Sequence, residues 1–351
     1  MSDVSPAKIR VLVVDDSAFV RKALIRIYAA HPEIRIIDVA ADGRTAVELT
    51  RRLRPDVVTL DIRMPVLDGL AALGLIMEEC PTPVIMLSTL TERGGENTLK
   101  ALEMGAVDFV DKADAGGHME IYSLSEQLTT KIRAASRVDL RKLRNGRYDI
   151  PEERHAIGPT AKSGAELVVI GSSTGGPQAL QQIVTRLPEG FPLPVLVVQH
   201  MPRGFTASLA DRLNVISALT VKEAVEGEEI IPGKIYIAPA GRHLKVGRDG
   251  TAMRVRLDDS PEDEPHRPSI DTVLQSVAAI CGERSIVFIL TGMGKDGAAG
   301  ACAVKKTGGR VYVESEETAV IYGMPKAVAE SVRVDGHVPL YRVAETILRV
   351  I

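Results

Sequence analysis

The chain has 351 residues, a formal net charge of −3 and 45% hydrophobic residues, with no Trp and only five Phe. That length exceeds one ordinary core and predicts two domains with aliphatic packing. The weakly acidic balance leaves no electrostatic footprint for nucleic acid or an anionic membrane, and no apolar run approaches the ~18–20 residues of a membrane-inserted helix.

From residue 9 to about 135 the pattern alternates strand and helix five times. Short aliphatic runs at 10–14, 34–40, 56–60, 84–87 and 106–110 read as buried parallel strands, with amphipathic stretches at 18–30, 44–53, 70–79, 98–104 and 121–136 between them. This predicts a doubly wound (βα)5 unit over residues 8–136. Asp15 and Asp16 end the first strand and Asp61 ends the third, so the three carboxylates converge at the carboxyl edge near the topological switch point. Like charges held so close call for a hard divalent cation such as Mg2+. Ser88 ends the fourth strand and Lys112 follows the fifth, where a hydroxyl and an ammonium can contact a phosphoryl group on Asp61. Any one of these alone reads as a solvated loop residue; five at the right strand ends read as a site.

Residues 137–164 change character. Arg137, Arg141, Lys142, Arg144 and Arg147 crowd together and are followed by Pro151 and Pro159, which predicts a helical or frayed start and then an interdomain linker. The tract is short, is interrupted by Asp139, Asp149 and Glu152, and holds one aromatic, Tyr148, so a solvated linker outweighs a nucleic-acid contact. No helix-turn-helix pattern follows it, which argues against a DNA-binding output.

A second α/β pattern fills residues 165–351, with parallel strands predicted at 167–170, 195–199, 286–290 and 310–313. An antiparallel insert is predicted from short strands at 234–237, 243–246 and 252–256. The first strand runs into Gly171-Ser172-Ser173-Thr174-Gly175-Gly176, a tight elbow that lifts a hydroxyl and the first amides of a helix to the sheet edge. The second strand ends on His200, and Asp296 lies in the glycine-rich segment that follows the strand at 286–290. Hydroxyl, imidazole and carboxylate at one edge follow the logic of nucleophile, base and orienting acid. Ser172, Ser173 and Thr174 compete as nucleophile, and His243 and His266 compete as bases, although their places in the insert and in a polar loop suit a surface or pocket-wall role better. Backbone N–H groups at Thr174 and in Gly292-Met293-Gly294 are candidate oxyanion donors. A lipase-like elbow is a poor fit, since the x between Ser and Gly is missing.

Two resemblances follow from these residues. Asp15-Asp16, Asp61-Ile62-Arg63-Met64-Pro65, Asp68-Gly69, Ser88 and Lys112 resemble the receiver domain of response regulators. The resemblance implies that Asp61 accepts a phosphoryl group from a histidine kinase, with Mg2+ held by Asp15, Asp16 and Asp61, and that Ser88 and Phe109 carry the switch outward. One position departs: Ala113 follows Lys112, where receivers usually have Pro. The second half resembles the catalytic domain of the chemotaxis protein-glutamate methylesterases, the CheB family. It does so through Gly171–Gly176, Gln199-His200-Met201-Pro202, Ile237-Ala238-Pro239, His266-Arg267-Pro268-Ser269, 291–297 and Gly323-Met324-Pro325.

This resemblance selects Ser173 over its neighbours. It implies hydrolysis of glutamate methyl esters on chemoreceptors and deamidation of receptor glutamines, by Ser173, His200 and Asp296 with Thr174 and Met293 at the oxyanion pocket and no cofactor for the ester chemistry. The chain order leads to the expectation that the unphosphorylated receiver hinders the esterase and that phosphorylation relieves it. The alternative is a receiver-controlled scaffold with weak or no esterase activity. A reduced cytoplasmic protein is expected, since Cys80, Cys281 and Cys302 are scattered, odd in number and without ligand spacing and the polar first ten residues lack a signal-peptide core; a monomer is expected as well.

Overall fold

The computed structural model describes residues 7–88, 92–112, 124–144 and 164–351. The chain divides into two compact units, Met1–Arg144 and Asn145–Ile351. The first unit contains β1 (Ile9–Val14), α1 (Ala18–Ala29), β2 (Ile34–Ala40), α2 (Gly43–Leu53), β3 (Val57–Asp61), α3 (Gly69–Glu79), β4 (Val84–Ser88), α4 (Glu92–Glu103), β5 (Asp108–Asp111), α5 (Ser125–Ala135) and α6 (Leu140–Arg144). Its five strands are parallel in the order β2-β1-β3-β4-β5, with β3, β4 and β5 buried along their whole length. Because β1 lies between β2 and β3, the winding reverses there and opens a crevice at the carboxyl ends of β1 and β3. Side-chain caps start three of the helices: Ser17 for α1, Asp42 for α2 and Asp68 for α3, each accepting a backbone N–H three residues on. Asp68 of the receiver-like motif thus has a local structural cause. Val138, Leu140 and Leu143, from the start of the segment read as linker, pack on the core of this unit. The remainder of that segment, 145–163, and Ala113 lie outside the described residues.

The second unit contains β6 (Leu167–Ser172), α7 (Gly176–Val184), β7 (Val195–Gln199), α8 (Phe205–Ile216), β8 (Thr220–Glu223), β9 (Lys234–Ile237), β10 (His243–Asp249), β11 (Ala252–Asp258), α9 (Ile270–Cys281), β12 (Ser285–Ile289), α10 (Ala298–Lys306), β13 (Arg310–Glu314), α11 (Met324–Ser331), β14 (Gly336–Val338) and α12 (Leu340–Val350). Seven strands form a parallel sheet in the order β14-β13-β12-β6-β7-β9-β8. The chain winds outward from β6 through β7 to β8, then returns to β12 on the other side of β6, so the switch point lies at β6 and β12.

One expectation needs correction. Residues 234–237 belong to the parallel sheet between β7 and β8, and only β10 and β11 form the antiparallel hairpin. The run Ile235-Tyr236-Ile237 is buried along its length, as a strand covered on both faces must be; the Pro232-Gly233 pair just before it is turn punctuation that a hairpin and a parallel crossover share. The hairpin contributes Leu244, Val246 and Val255 to a core shared with Val273, Leu274 and Val277 of α9. Among the described residues no helix is long and apolar enough to cross a membrane. Cys80 and Cys281 are buried and Cys302 is half-buried, all as free thiols.

Candidate active site and phosphoacceptor site

In the first unit, Val14 and Leu60 are partners in the β1–β3 ladder, which brings Asp15 and Asp61 beside each other at the sheet edge. Asp15 and Asp61 are buried and Asp16 is exposed, and each offers a carboxylate oxygen within 4.8 Å of the others. Lys112 Nζ lies 2.8 Å from Asp61 Oδ1 and 3.0 Å from Asp15 Oδ2. Burial raises the Asp61 pKa; Lys112 works against the rise, and the neighbouring Asp15 and Asp16 add to it. Three carboxylates facing one ammonium leave an excess of negative charge, so the donor set fits a hard divalent cation.

Ser88 and Phe109, expected to carry a switch outward, are both buried. The Ser88 hydroxyl accepts a hydrogen bond from Thr98 Oγ1 of α4 at 2.8 Å. Lys131 Nζ of α5 donates to the Phe109 carbonyl at 2.9 Å and sits 5.6 Å from its ring centroid. Ser88 at the end of β4 and Phe109 within β5 are therefore tied to the helices that precede and follow β5.

In the second unit the register does the same work. Ser172 pairs with Gln199 in the β6–β7 ladder, and the His200 N–H donates to the Ser172 carbonyl at 3.0 Å. Ser173 and His200 thus leave adjacent strands at one level. The segment after β12 is zipped to the same elbow: Leu290 N–H donates to Gly171 O (2.8 Å), Ser173 N–H to Thr291 O (3.0 Å) and Thr291 Oγ1 to Thr174 O (2.8 Å). That segment delivers Asp296.

Asp296 sits against the N-terminus of α9. It accepts the amides of Ile270 (2.7 Å), Asp271 (2.8 Å) and Gly297 (2.9 Å) and the Ser269 hydroxyl (3.2 Å), while His200 Nε2 lies 2.7 Å from its Oδ2. Burial pushes its pKa up, but the His200 hydrogen bond and charge and these amides outweigh burial and bring it down to about 2. The carboxylate is ionised at any physiological pH. Its partner assigns the imidazole proton to Nε2, which leaves Nδ1 as the basic nitrogen. Nδ1 is buried and has no hydrogen-bond partner among the described residues.

The three elbow hydroxyls separate cleanly. Ser172 is fully buried and its hydroxyl donates to Gln199 Oε1 at 2.7 Å, and Thr174 is also buried; Ser173 alone is partly open. A Cβ on Gly292 would meet Ser173 Cβ at 2.8 Å and the Met324 sulfur closer still, so the backbone there approaches the elbow only as glycine. The Gly292 N–H is spent on Ile321 O at 3.1 Å, which removes it from the expected oxyanion donors; Met293 N–H has no partner among the described residues. The competing histidines also resolve. His243 is not on the surface: it is fully buried, with Nε2 3.1 Å from Pro261 O and Nδ1 accepting the Ser269 N–H at 3.4 Å. His266 is exposed and its ring stacks on His200, centroids 4.1 Å apart and planes 19° from parallel.

Two further residues shape the site without a signal in the sequence for what they bond. Gln199 is buried, and its amide donates to the carbonyls of Ser173 (2.9 Å) and His200 (3.0 Å) while receiving the Ser172 hydroxyl. It ties the two strand ends together, and a side chain on Gly176 would strike it. Glu314, the last residue of β13, accepts the Thr291 N–H at 2.7 Å and the Thr318 hydroxyl at 2.9 Å. Each is a polar residue closing an apolar strand, the signal that marked His200 and Asp61. Gln199→Glu should set a buried carboxylate against the two carbonyls that the amide now serves and lower stability by about 2–4 kcal/mol, read as a drop in the denaturant midpoint; an unchanged midpoint would contradict the clamp.

A doubly wound unit with a carboxylate cluster is joined to a second one whose edge holds hydroxyl, imidazole and ionised carboxylate. Residues 11–119 match the family model of the response regulator receiver domain, and residues 168–347 match that of the CheB methylesterase. Two similar proteins named protein-glutamate methylesterase/protein-glutamine glutaminase come from Geobacillus kaustophilus and Thermotoga maritima. The first is 45% identical over 98% of this chain and 99% of its own length, the second 46% identical over 98% of each. The crystal structure of the Thermotoga maritima CheB methylesterase catalytic domain is 48% identical, covers 53% of this chain and 99% of its own, and superposes with a TM-score of 0.52. The chain belongs to the CheB methylesterase family.

Proposed function

We propose that the second unit hydrolyses glutamate γ-methyl esters on chemoreceptor proteins, releasing methanol, and deamidates receptor glutamines by the same route. The observation that carries this reading is the buried His200–Asp296 pair, whose remaining nitrogen, Nδ1, is basic and unpartnered one residue beyond the ladder partner of the Ser elbow. Ser173 Oγ attacks the ester carbonyl and its proton passes to His200 Nδ1. The imidazolium is stabilised by ionised Asp296, and the Met293 N–H supports the developing oxyanion. His200 then gives the proton to the departing methoxide, leaving an acyl-Ser173. Water attacks that ester with His200 again as base, and glutamate and free Ser173 result. With a glutamine side chain, ammonia departs in place of methanol.

The first unit is the control. Asp61 is the acceptor of a phosphoryl group from the phosphohistidine of a kinase, Lys112 and Ser88 contact the transferred group, and Phe109 responds with Ser88. Asp15, Asp16 and Asp61 would hold Mg2+, whose charge, when bound, offsets that of the phosphoryl group and its acceptor. The ester chemistry asks nothing of a cofactor in this scheme, and the reducing cytoplasm suits the free thiols.

The test of the activity uses two receptor forms. Methylated receptor should yield methanol, and receptor bearing glutamine at those positions should gain about 1 Da per converted site. Methanol without the mass gain would confine the enzyme to esters. Neither product would leave only a receiver-controlled scaffold.

A further inference from the structure

We infer that His266 is a positioning residue that holds the His200 imidazole by its face while Asp296 holds it by its edge. The inference rests on reading His200 as the base. A hydrogen bond at Nε2 fixes where the ring edge points, yet it leaves the ring free to rock about that bond. A flat partner on the face restrains the rocking, so the two contacts limit different motions. The observed stacking, 4.1 Å and 19°, is a close face contact between aromatic rings.

The segment that presents His266 is anchored from several sides. Buried His243 of β10 contacts Pro261 O with Nε2 and the Ser269 N–H with Nδ1, before and after His266. The Gly241 N–H donates to the Arg267 carbonyl at 2.9 Å. Ser269 caps α9, and its hydroxyl reaches Asp296 Oδ1. The carboxylate that orients the base is therefore bonded to the same segment that covers the base, which makes face and edge restraints one assembly. This also gives His243 its role: it is a tether, spent at both nitrogens, and not a rival base.

Three acidic groups on neighbouring elements interact with one another. Asp296 follows β12, Asp271 lies in the first turn of α9 with its pKa pushed up to about 6, chiefly by burial, and Glu264 lies on the segment of His266 itself and adds to that rise. A flat ring without charge at position 266 therefore separates the restraint from any electrostatic effect.

The experiment measures methanol release from methylated receptor by the full chain carrying His266→Ala, His266→Phe or His200→Ala. His266→Ala should lower kcat about 10-fold with KM within about twofold of the parent, and with an unchanged melting temperature because the side chain is exposed. His266→Phe should return kcat to within about threefold of the parent, since it restores a flat partner. Parental kcat in His266→Ala, or His266→Phe as impaired as His266→Ala, would overturn the inference. Full activity in His200→Ala would overturn the underlying assignment of the base instead, whatever the His266 variants do.

Discussion

Ser173→Ala or His200→Ala is expected to lower methanol release by at least ~10³-fold. Both variants should fold. Ser173 is partly open, and Asp296 keeps three amides and a hydroxyl when the imidazole is gone, so no unsatisfied carboxylate remains. Asp296→Asn should cost less activity than loss of the base, because nucleophile and base survive. It should also lower stability, since one oxygen that accepts amides is replaced by an NH2 donor facing them. The measurement is the initial rate of methanol release beside a thermal unfolding curve for each variant. Near-normal activity in Ser173→Ala with complete loss in Ser172→Ala would overturn the nucleophile, although the Ser172 hydroxyl is sealed against Gln199.

The second large effect concerns the acceptor. Asp61→Asn is expected to abolish uptake of phosphate from a small phosphodonor in Mg2+ while leaving the fold intact. Asp61 is a carboxylate forced against two others, and burial already raises its pKa, so the neutral amide relieves repulsion that Lys112 only partly offsets. Asp56→Asn is the control. Asp56 lies just before β3, where Oδ2 accepts the Arg10 N–H at 2.7 Å, at the opposite end of the strand from Asp61. Mass spectrometry of the intact chain reads the phosphoryl group directly. Uptake that survives in Asp61→Asn and fails in Asp56→Asn would contradict the assignment.

β9 was read into the antiparallel insert, but the other inner strands were legible in the sequence because a parallel strand buried on both faces is a plain aliphatic run, and the helices of the first unit follow their own period. The two edges of the larger sheet were not. β8, Thr-Val-Lys-Glu, and β14, Gly-His-Val, are short, partly exposed strands with one neighbour each, and they carry no apolar run to announce them. The start of α4 at Glu92 was likewise hidden, since Gly94 and Gly95 read as loop residues. The placement of the candidate site residues was legible for a related reason: Asp61 and His200 close or follow apolar strands, so their position at the carboxyl edge follows from the strand itself. What the sequence withheld are contacts made across the fold. Nothing local in Gln199 says that it bridges two carbonyls, and nothing in a polar, proline-rich loop says that His266 lies on His200. The spent N–H of Gly292 is invisible for the same reason, because its acceptor, Ile321, comes from a distant segment.

The central claim is that one chain couples a phosphoryl group on Asp61 to hydrolysis at Ser173. The measurement that tests it most directly is methanol release from methylated receptor, with and without a small phosphodonor in Mg2+, by the full chain and by Asp61→Asn. The account predicts a faster rate with donor for the parent chain and one donor-independent rate for Asp61→Asn. A parent rate indifferent to the donor, or a donor response that persists in Asp61→Asn, would contradict it.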